Sequence, residues 1–184
     1  EDYELTLTTF QKVVNNELDF PRSSVRDAYL RLGDANFGLS KYWPAMEQYN
    51  KSIVMSPAQS DYARYQKAIS YGFVDRNTQK IKTLKELIDK HPTSPYVDDA
   101  YFELSTAYSV AGSFDTAIAT YEGLVSRFPE SPYTSRAILN MGLILYNQEK
   151  LVRAEQVLKN LVVRYPKDGV AQQALGTIKE IAID

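Results

Sequence analysis

His91 is the single histidine of the chain, and it stands directly before Pro92 in "DKHPTSP". Imidazole is the side chain best suited to moving a proton near neutral pH or to ligating a metal. Its position argues for a quieter role. It falls at the end of a helical pattern, where an imidazole interacts favourably with the helix dipole. The other concentration of chemistry is the carboxylate pair Asp98–Asp99. Two adjacent acids could hold a cation or divide acid and base duties, but this pair falls in the first turn of a predicted helix, where the dipole favours acids. The chain has no cysteine, which excludes thiol nucleophiles, disulfides and Cys-ligated zinc. It contains no Gly-rich phosphate loop, HExxH motif or calcium loop. The sequence therefore predicts no catalytic residue, no metal site and no cofactor.

Composition narrows the class further. The 184 residues carry a net charge of −2, with 44% hydrophobic and 24% charged residues. A nucleic-acid binder normally shows a basic footprint, and none is present, so nucleic acid is not an expected partner. The strongest apolar stretch, "MGLILY", is far too short to span a bilayer, so no direct membrane insertion is expected. The chain opens on "EDYELTLTTF" without Met or signal peptide. It is expected to be a mature or excised segment whose N-terminal side continues in a longer protein.

The elements that must position these residues are set by prolines. Pro21, Pro57, Pro92, Pro129 and Pro166 are spaced by 36, 35, 37 and 37 residues. Counting back 29 from each of the last four gives Ala28, Ala63, Ala100 and Ala137. Counting back 27 gives Leu30, Tyr65, Phe102 and Leu139; counting back 24 gives the small residues Gly33, Ala68, Ser105 and Gly142. Twelve back stand Ala45, Lys80, Ala117 and Ala154, and eight back Tyr49, Leu84, Tyr121 and Leu158. Self-similarity at such a period marks a repeat architecture.

Each period reads as two helices. Ala100, Leu104, Ala107 and Tyr108 share one helical face, "GSF" follows as a turn, and Ala117, Tyr121, Leu124 and Phe128 share a face of the next helix. Gly112 is a natural helix stop. The small residues mark where paired helices cross closely. Segment 58–92 departs from the pattern with Arg64, Lys67 and Lys80, so it either packs loosely or presents charge. The tyrosines Tyr29, Tyr49, Tyr101, Tyr108 and Tyr121 fall in core slots, and Gly123 reads as a close helix contact. Trp43, beside Pro44 at the first position of a helix, is expected to pack the turn, with stacking on a sugar or peptide as the other reading. In "HPTSPYVDDA" and "FPESPYTSRA", Pro92 and Pro129 close one helix pair. Ser94 and Ser131 are placed to cap the next helix, with Pro95 and Pro132 at its first position. Tyr96 and Tyr133 are expected to pack on the preceding unit.

These residues resemble tetratricopeptide repeats. The match runs through Tyr29, Leu32, Gly33, Ala45, Tyr49 and Pro57; through Tyr101, Leu104, Ser105, Tyr108, Ala117, Tyr121 and Pro129; and through Ile138, Met141, Gly142, Leu145, Ala154, Leu158 and Pro166. The resemblance implies an all-α solenoid of antiparallel helix pairs coiled as a right-handed superhelix. We expect a single array over 1–184. A lone second helix (1–21) precedes helix pairs 22–57, 58–92, 93–129 and 130–166, and a terminal helix (167–184) follows.

The resemblance also implies a function. It points to a non-catalytic protein–protein interaction scaffold whose first helices line a concave face. The residues expected there are Leu30, Phe37, Tyr65, Phe73, Phe102, Leu139, Leu143 and Tyr146. The same apolar stripe could instead pack first helices against each other. Asp34, Ile69, Thr106 and Leu143 occupy the positions of a carboxylate clamp, so a clamp is not expected. The partner is a protein or peptide segment, and exposed array ends offer surfaces for self-association. Units longer than 34 residues are similar to those of bacterial envelope members, which points to a periplasmic or outer-membrane-associated place. The alternative is a glycan-binding module of an outer-membrane sugar-capture system, using Trp43 and Tyr42. An α/α-barrel hydrolase would need a carboxylate pair at the rim, and none can be placed.

Overall fold

The computed structural model describes residues 2–183; Glu1 and Asp184, the outermost residues of the expected terminal helices, lie outside them. The described residues form ten α-helices and no strand: α1 (Tyr3–Asn15), α2 (Arg22–Gly38), α3 (Tyr42–Met55), α4 (Asp61–Phe73), α5 (Asn77–Lys90), α6 (Val97–Val110), α7 (Phe114–Arg127), α8 (Thr134–Asn147), α9 (Leu151–Arg164) and α10 (Gly169–Ile181). The lone second helix expected within 1–21 ends at Asn15 and passes into a 3-10 turn at Glu17–Asp19. Two compact units divide within α6, one reaching Ala100 and the other starting at Tyr101.

The turn between first and second helices is the same each time. Ser40, Asp75, Gly112 and Glu149 all have positive φ, between 56° and 73°. Each stands 17 residues before a frame proline. This left-handed residue stops the first helix and turns the chain back. Only one of the four is glycine, so the other three carry the strain of a side chain in that region.

Each helix pair closes on small residues. A Cβ at Gly33 would come within 2.5 Å of the Tyr49 ring, and one at Gly142 would collide with the Leu158 side chain. Ala45, Ala117 and Ala154, on the opposing helices, have no exposed surface. In the first unit Tyr49 and Ile53 pack with Ala45 and Ala63, while Val25, Tyr29 and Leu32 pack on Leu7, Phe10, Val13 and Val14 of α1. In the second unit one cluster joins Tyr121, Leu124, Ile138, Leu145, Leu158 and Leu161. Of the tyrosines placed in core slots, Tyr29, Tyr49 and Tyr121 are buried, whereas Tyr101 and Tyr108 are half-buried. Gly123 lies close under the Tyr101 ring, where a Cβ would sit 3.3 Å away.

The proline joints differ from expectation in one respect. Ser94 and Ser131 do accept hydrogen bonds, but from the N–H of Tyr96 and Tyr133 at 3.2 Å, two residues on. Helices α6 and α8 start only at Val97 and Thr134. The Ser-Pro pair therefore builds a side-chain-closed turn ahead of the helix, because the hydroxyl reaches its own local backbone first. Pro44 likewise stands third in α3, not first. Tyr96 stacks on Tyr65 with centroids 5.6 Å apart, and Tyr133 on Phe102 at 5.1 Å. Both rings pack on the preceding first helix, as expected.

A polar latch spans the same joints. Arg26 donates to Gln59. Ser94 donates to Asp61 at 2.7 Å, and Ser135 to Asp168 at 2.6 Å. Each pair joins the residue 31 before a frame proline to the one two after it. Asp168 also caps α10 by accepting from the Val170 N–H at 3.0 Å. These two hydrogen bonds, Ser135 first, hold its carboxyl below the ordinary carboxylate value.

Two stability outcomes follow from this geometry. Glu149→Gly relieves left-handed strain at an exposed turn and should raise stability by up to about 1 kcal/mol, whereas Gly112→Ala should lower it by about as much; urea midpoints measure both. Asp168→Ala should cost about 1 kcal/mol at pH 7. The Asp168 pKa is depressed in the folded state, so its contribution exists above the unfolded value and fades as pH falls through the folded one. The difference between Asp168→Ala and wild type should therefore shrink at pH 3.

Candidate functional site

The structure sorts the predicted concave residues by unit. In the first, Phe37 and Phe73 meet edge-on with centroids 5.6 Å apart, and Tyr42 stacks on Phe73 at 4.6 Å. Phe73 is 57% exposed, so this aromatic group faces solvent. Leu30 and Phe37 are half-buried against the Tyr49 cluster. Tyr65 lies apart from them, covered by Tyr96. In the second unit Phe102 is held between Tyr133 and Tyr121, while Leu143 and Tyr146 are half-buried against the core. Leu139 corrects the expectation. It is 4% exposed and lies inside the core cluster with Ile138 and Leu145, so it offers no surface to a partner.

A cavity of about 700 Å3 opens between α1, α2 and α4. Tyr3, Phe10 and Phe37 give it apolar walls, and Arg31, Asp34 and Tyr62 give it polar ones. Asp34 is the centre of its hydrogen bonding. One carboxylate oxygen accepts from the Tyr49 hydroxyl at 2.9 Å and from the Tyr62 hydroxyl at 2.8 Å. Tyr49 reaches it from α3 and Tyr62 from α4, so three helices converge on one acceptor. Burial first, then Asp34, pushes both hydroxyls up from the ordinary tyrosine value. They stay protonated and donate. Arg31 pairs with Asp27 at 3.8 Å on the surface, a contact worth little.

The second unit repeats the device without charge. The Tyr121 hydroxyl lies 3.0 Å from Thr106 Oγ1 and accepts from Asn140 Nδ2 at 2.9 Å. Tyr49 and Tyr121 stand eight residues before their prolines. A buried tyrosine must find a partner for its hydroxyl, and that rule, applied to Tyr49, could have pointed to Asp34. Fixed donors and acceptors beside aromatic faces can recognise a chain.

The reactive-looking residues sit elsewhere. His91 caps α5 and its Nε2 lies 3.3 Å from Ser60 Oγ. Asp98 and Asp99 occupy the first turn of α6, and Asp99 accepts from the Tyr65 hydroxyl at 3.4 Å. Among the described residues no group of three or more His, Cys, Asp or Glu could hold a metal ion, and no helix is long and apolar enough to cross a membrane. Trp43 departs from expectation: it is 56% exposed, with the Arg76 guanidinium 5.8 Å from its ring. Arg64 is buried and paired with Glu86 at 2.8 Å, so it presents no charge at the surface.

Antiparallel helix pairs repeated at a fixed frame and closed on small residues define a helical-repeat fold, of the kind that serves as an interaction scaffold. A tetratricopeptide repeat model matches residues 62–94, 99–131 and 136–168, together more than half of the chain, and the chain belongs to that family. No curated protein matches it in sequence. Solved structures of the same fold include MamA, 22% identical, covering 90% of this chain and 84% of that one with a TM-score of 0.76. YrrB, described as a TPR protein with an unusual peptide-binding site, is 18% identical over 95% of this chain and 84% of its own, with a TM-score of 0.73. A tetratricopeptide repeat protein from Parabacteroides merdae is 12% identical over 85% of this chain and 60% of its own, with a TM-score of 0.73.

Phe102 makes the division between groove and core measurable. Its stacking on Tyr133 means that Phe102→Ala should lower stability by about 2 kcal/mol, less than truncation of a fully buried aromatic because the ring is half-buried. Chemical denaturation followed by circular dichroism reads this. An unchanged midpoint would show that the ring is free for a partner.

Proposed function

We propose that this protein is an interaction scaffold whose first helices hold a peptide or partner segment, with the α1–α2–α4 cavity as its anchor site. The observation that carries this reading is Asp34, a carboxylate set among tyrosine donors on the floor of a cavity of about 700 Å3, with exposed Phe73 close to Phe37 at its edge. A preformed surface lowers the ordering cost of binding. The acid selects a segment with a basic side chain, whose aliphatic or aromatic neighbour lies on Phe37 and Phe73. In the second unit, half-buried Leu143 and Tyr146 are candidates for further contact. The peptide-binding description of YrrB supports the class of ligand. The Pro-ended helix pairs 22–57, 58–92, 93–129 and 130–166 are the units of this scaffold. Their length, similar to that of bacterial envelope members of the family, favours a place in the cell envelope.

The exposed Trp43 favours one second reading, in which the indole stacks on a sugar ring. The two are separated by panning a displayed peptide library and a glycan array against the wild-type chain. Selected peptides should carry Lys or Arg beside an apolar residue. Their affinity should fall at least tenfold with Asp34→Asn, which keeps an acceptor for Tyr49 and Tyr62, and with Phe73→Ala, both at unchanged helicity. Peptides indifferent to both substitutions, or glycan hits with no peptide, would sink the proposal.

A further inference from the structure

One joint of the first unit is built unlike the rest. Twenty-five residues before the frame prolines stand Leu32, Lys67, Leu104 and Met141. The three apolar residues are 1%, 5% and 6% exposed. Leu32 is packed there by Leu7, Phe10, Val13 and Val14 of the preceding helix. Lys67 takes the same slot between α3 and α4. Arg64, three residues earlier, stands where Tyr29, Tyr101 and Ile138 stand elsewhere.

The lysine lines open space between three helices. A cavity of about 320 Å3 lies between α3, α4 and α5, lined among others by Asn50, Arg64, Lys67, Gln79, Lys82 and Glu86. Lys67 Nζ donates to the neutral Asn50 Oδ1 at 2.8 Å. Glu86 is the one acid lining the cavity, and it is already engaged by Arg64 at 2.8 Å and Lys90 at 3.9 Å. Burial holds the Lys67 ammonium below the ordinary lysine value. Glu86 pulls it back up, and Arg64 and Lys82 push it further down. Arg64, Lys67 and Lys82 line the cavity against the single carboxylate of Glu86, which leaves it with unspent positive charge. A second opening of about 640 Å3 shares Asn50, Lys67 and Tyr71 with it, and Trp43 and Glu47 line its far side.

We infer that this cleft is a second binding site, for a compact oxyanion. A carboxylate or phosphate group is held by Lys67 and Lys82 beside the Arg64–Glu86 pair, and the body attached to it lies against Tyr71 and Trp43. The anion completes a charge set that the protein leaves unbalanced, and it replaces the apolar filling that this joint lacks. The site is separate from the Asp34 cavity and does not depend on the peptide reading. The group arrives either on a free small molecule or on an acidic side chain of a partner.

Trp43 is the single tryptophan, so its fluorescence reports the site directly. Inorganic phosphate, phenyl phosphate and malonate are titrated against sodium chloride at matched ionic strength, with Tm recorded alongside. Phenyl phosphate should give a saturable change in Trp43 emission and raise Tm as mass action requires. Lys67→Leu, which installs the residue of the sibling slots, should raise the basal Tm and weaken phenyl phosphate binding at least tenfold. Lys82→Gln should weaken it several-fold and serves as the test should Lys67→Leu fail to fold. A hexaglutamate arm assigns the source. Tighter binding than malonate marks a partner's acidic side chain, and weaker binding marks a free small anion; both support the site. No saturable response to any anion beyond chloride, or a Lys67→Leu protein that responds as wild type does, would overturn it.

Discussion

In two of the helix pairs the helices approach so closely that a single methyl group cannot be inserted between them. Gly33 lies on the Tyr49 ring and Gly142 on the Leu158 side chain, with no room for a Cβ. Everything else is arranged around that contact. The opposing alanines are small because their helix must come close. The turn between the helices is short and uses a left-handed residue each time, because the second helix must return at once along the first. Interiors packed at this density do not absorb an added side chain by deforming.

The close crossing also makes the candidate site. Tyr49 is fully buried because glycine opposite lets its ring slide past α2. Its hydroxyl then emerges beside Asp34, where Tyr62 joins it. A packing residue thereby becomes a polar support, and the carboxylate is fixed before any partner arrives. In the second unit Tyr121, at the equivalent frame position, ends on Thr106 and Asn140. The same tyrosine thus yields an acidic site in one place and a neutral one in another, depending on which residue receives it.

The fold was legible because its signals are local and repeated. The proline frame placed every helix, and the small positions identified the crossings. The joints were harder. The proline and serine announced a boundary, yet the Ser-Pro pair proved to be a turn of its own, since hydroxyl-to-backbone bonds two residues apart leave no period to detect. The site was only partly legible. Phe37 and Phe73 meet edge-on, whereas Leu139, identical in frame to Leu30, disappears into the core. A residue's face on its helix is visible in sequence; how deeply its neighbours cover it is decided by side chains from other segments. Lys67 was visible as an exception to the pattern, but the space it opens is not a property of any one residue.

The latches at the joints bear on how such an array can be rearranged. Arg26 with Gln59, Asp61 with Ser94, and Ser135 with Asp168 each straddle a proline. The polar partners trade places from one joint to the next: acid before serine in one, serine before acid in another. Cutting and rejoining the gene at the prolines would separate both halves of every latch and pair strangers. Cutting just after Gln59, Ser94 or Asp168 would carry each pair intact. The inheritable module of this chain is thus offset from its visible punctuation, and it ends where the family matches at Ser94 and Asp168 also end.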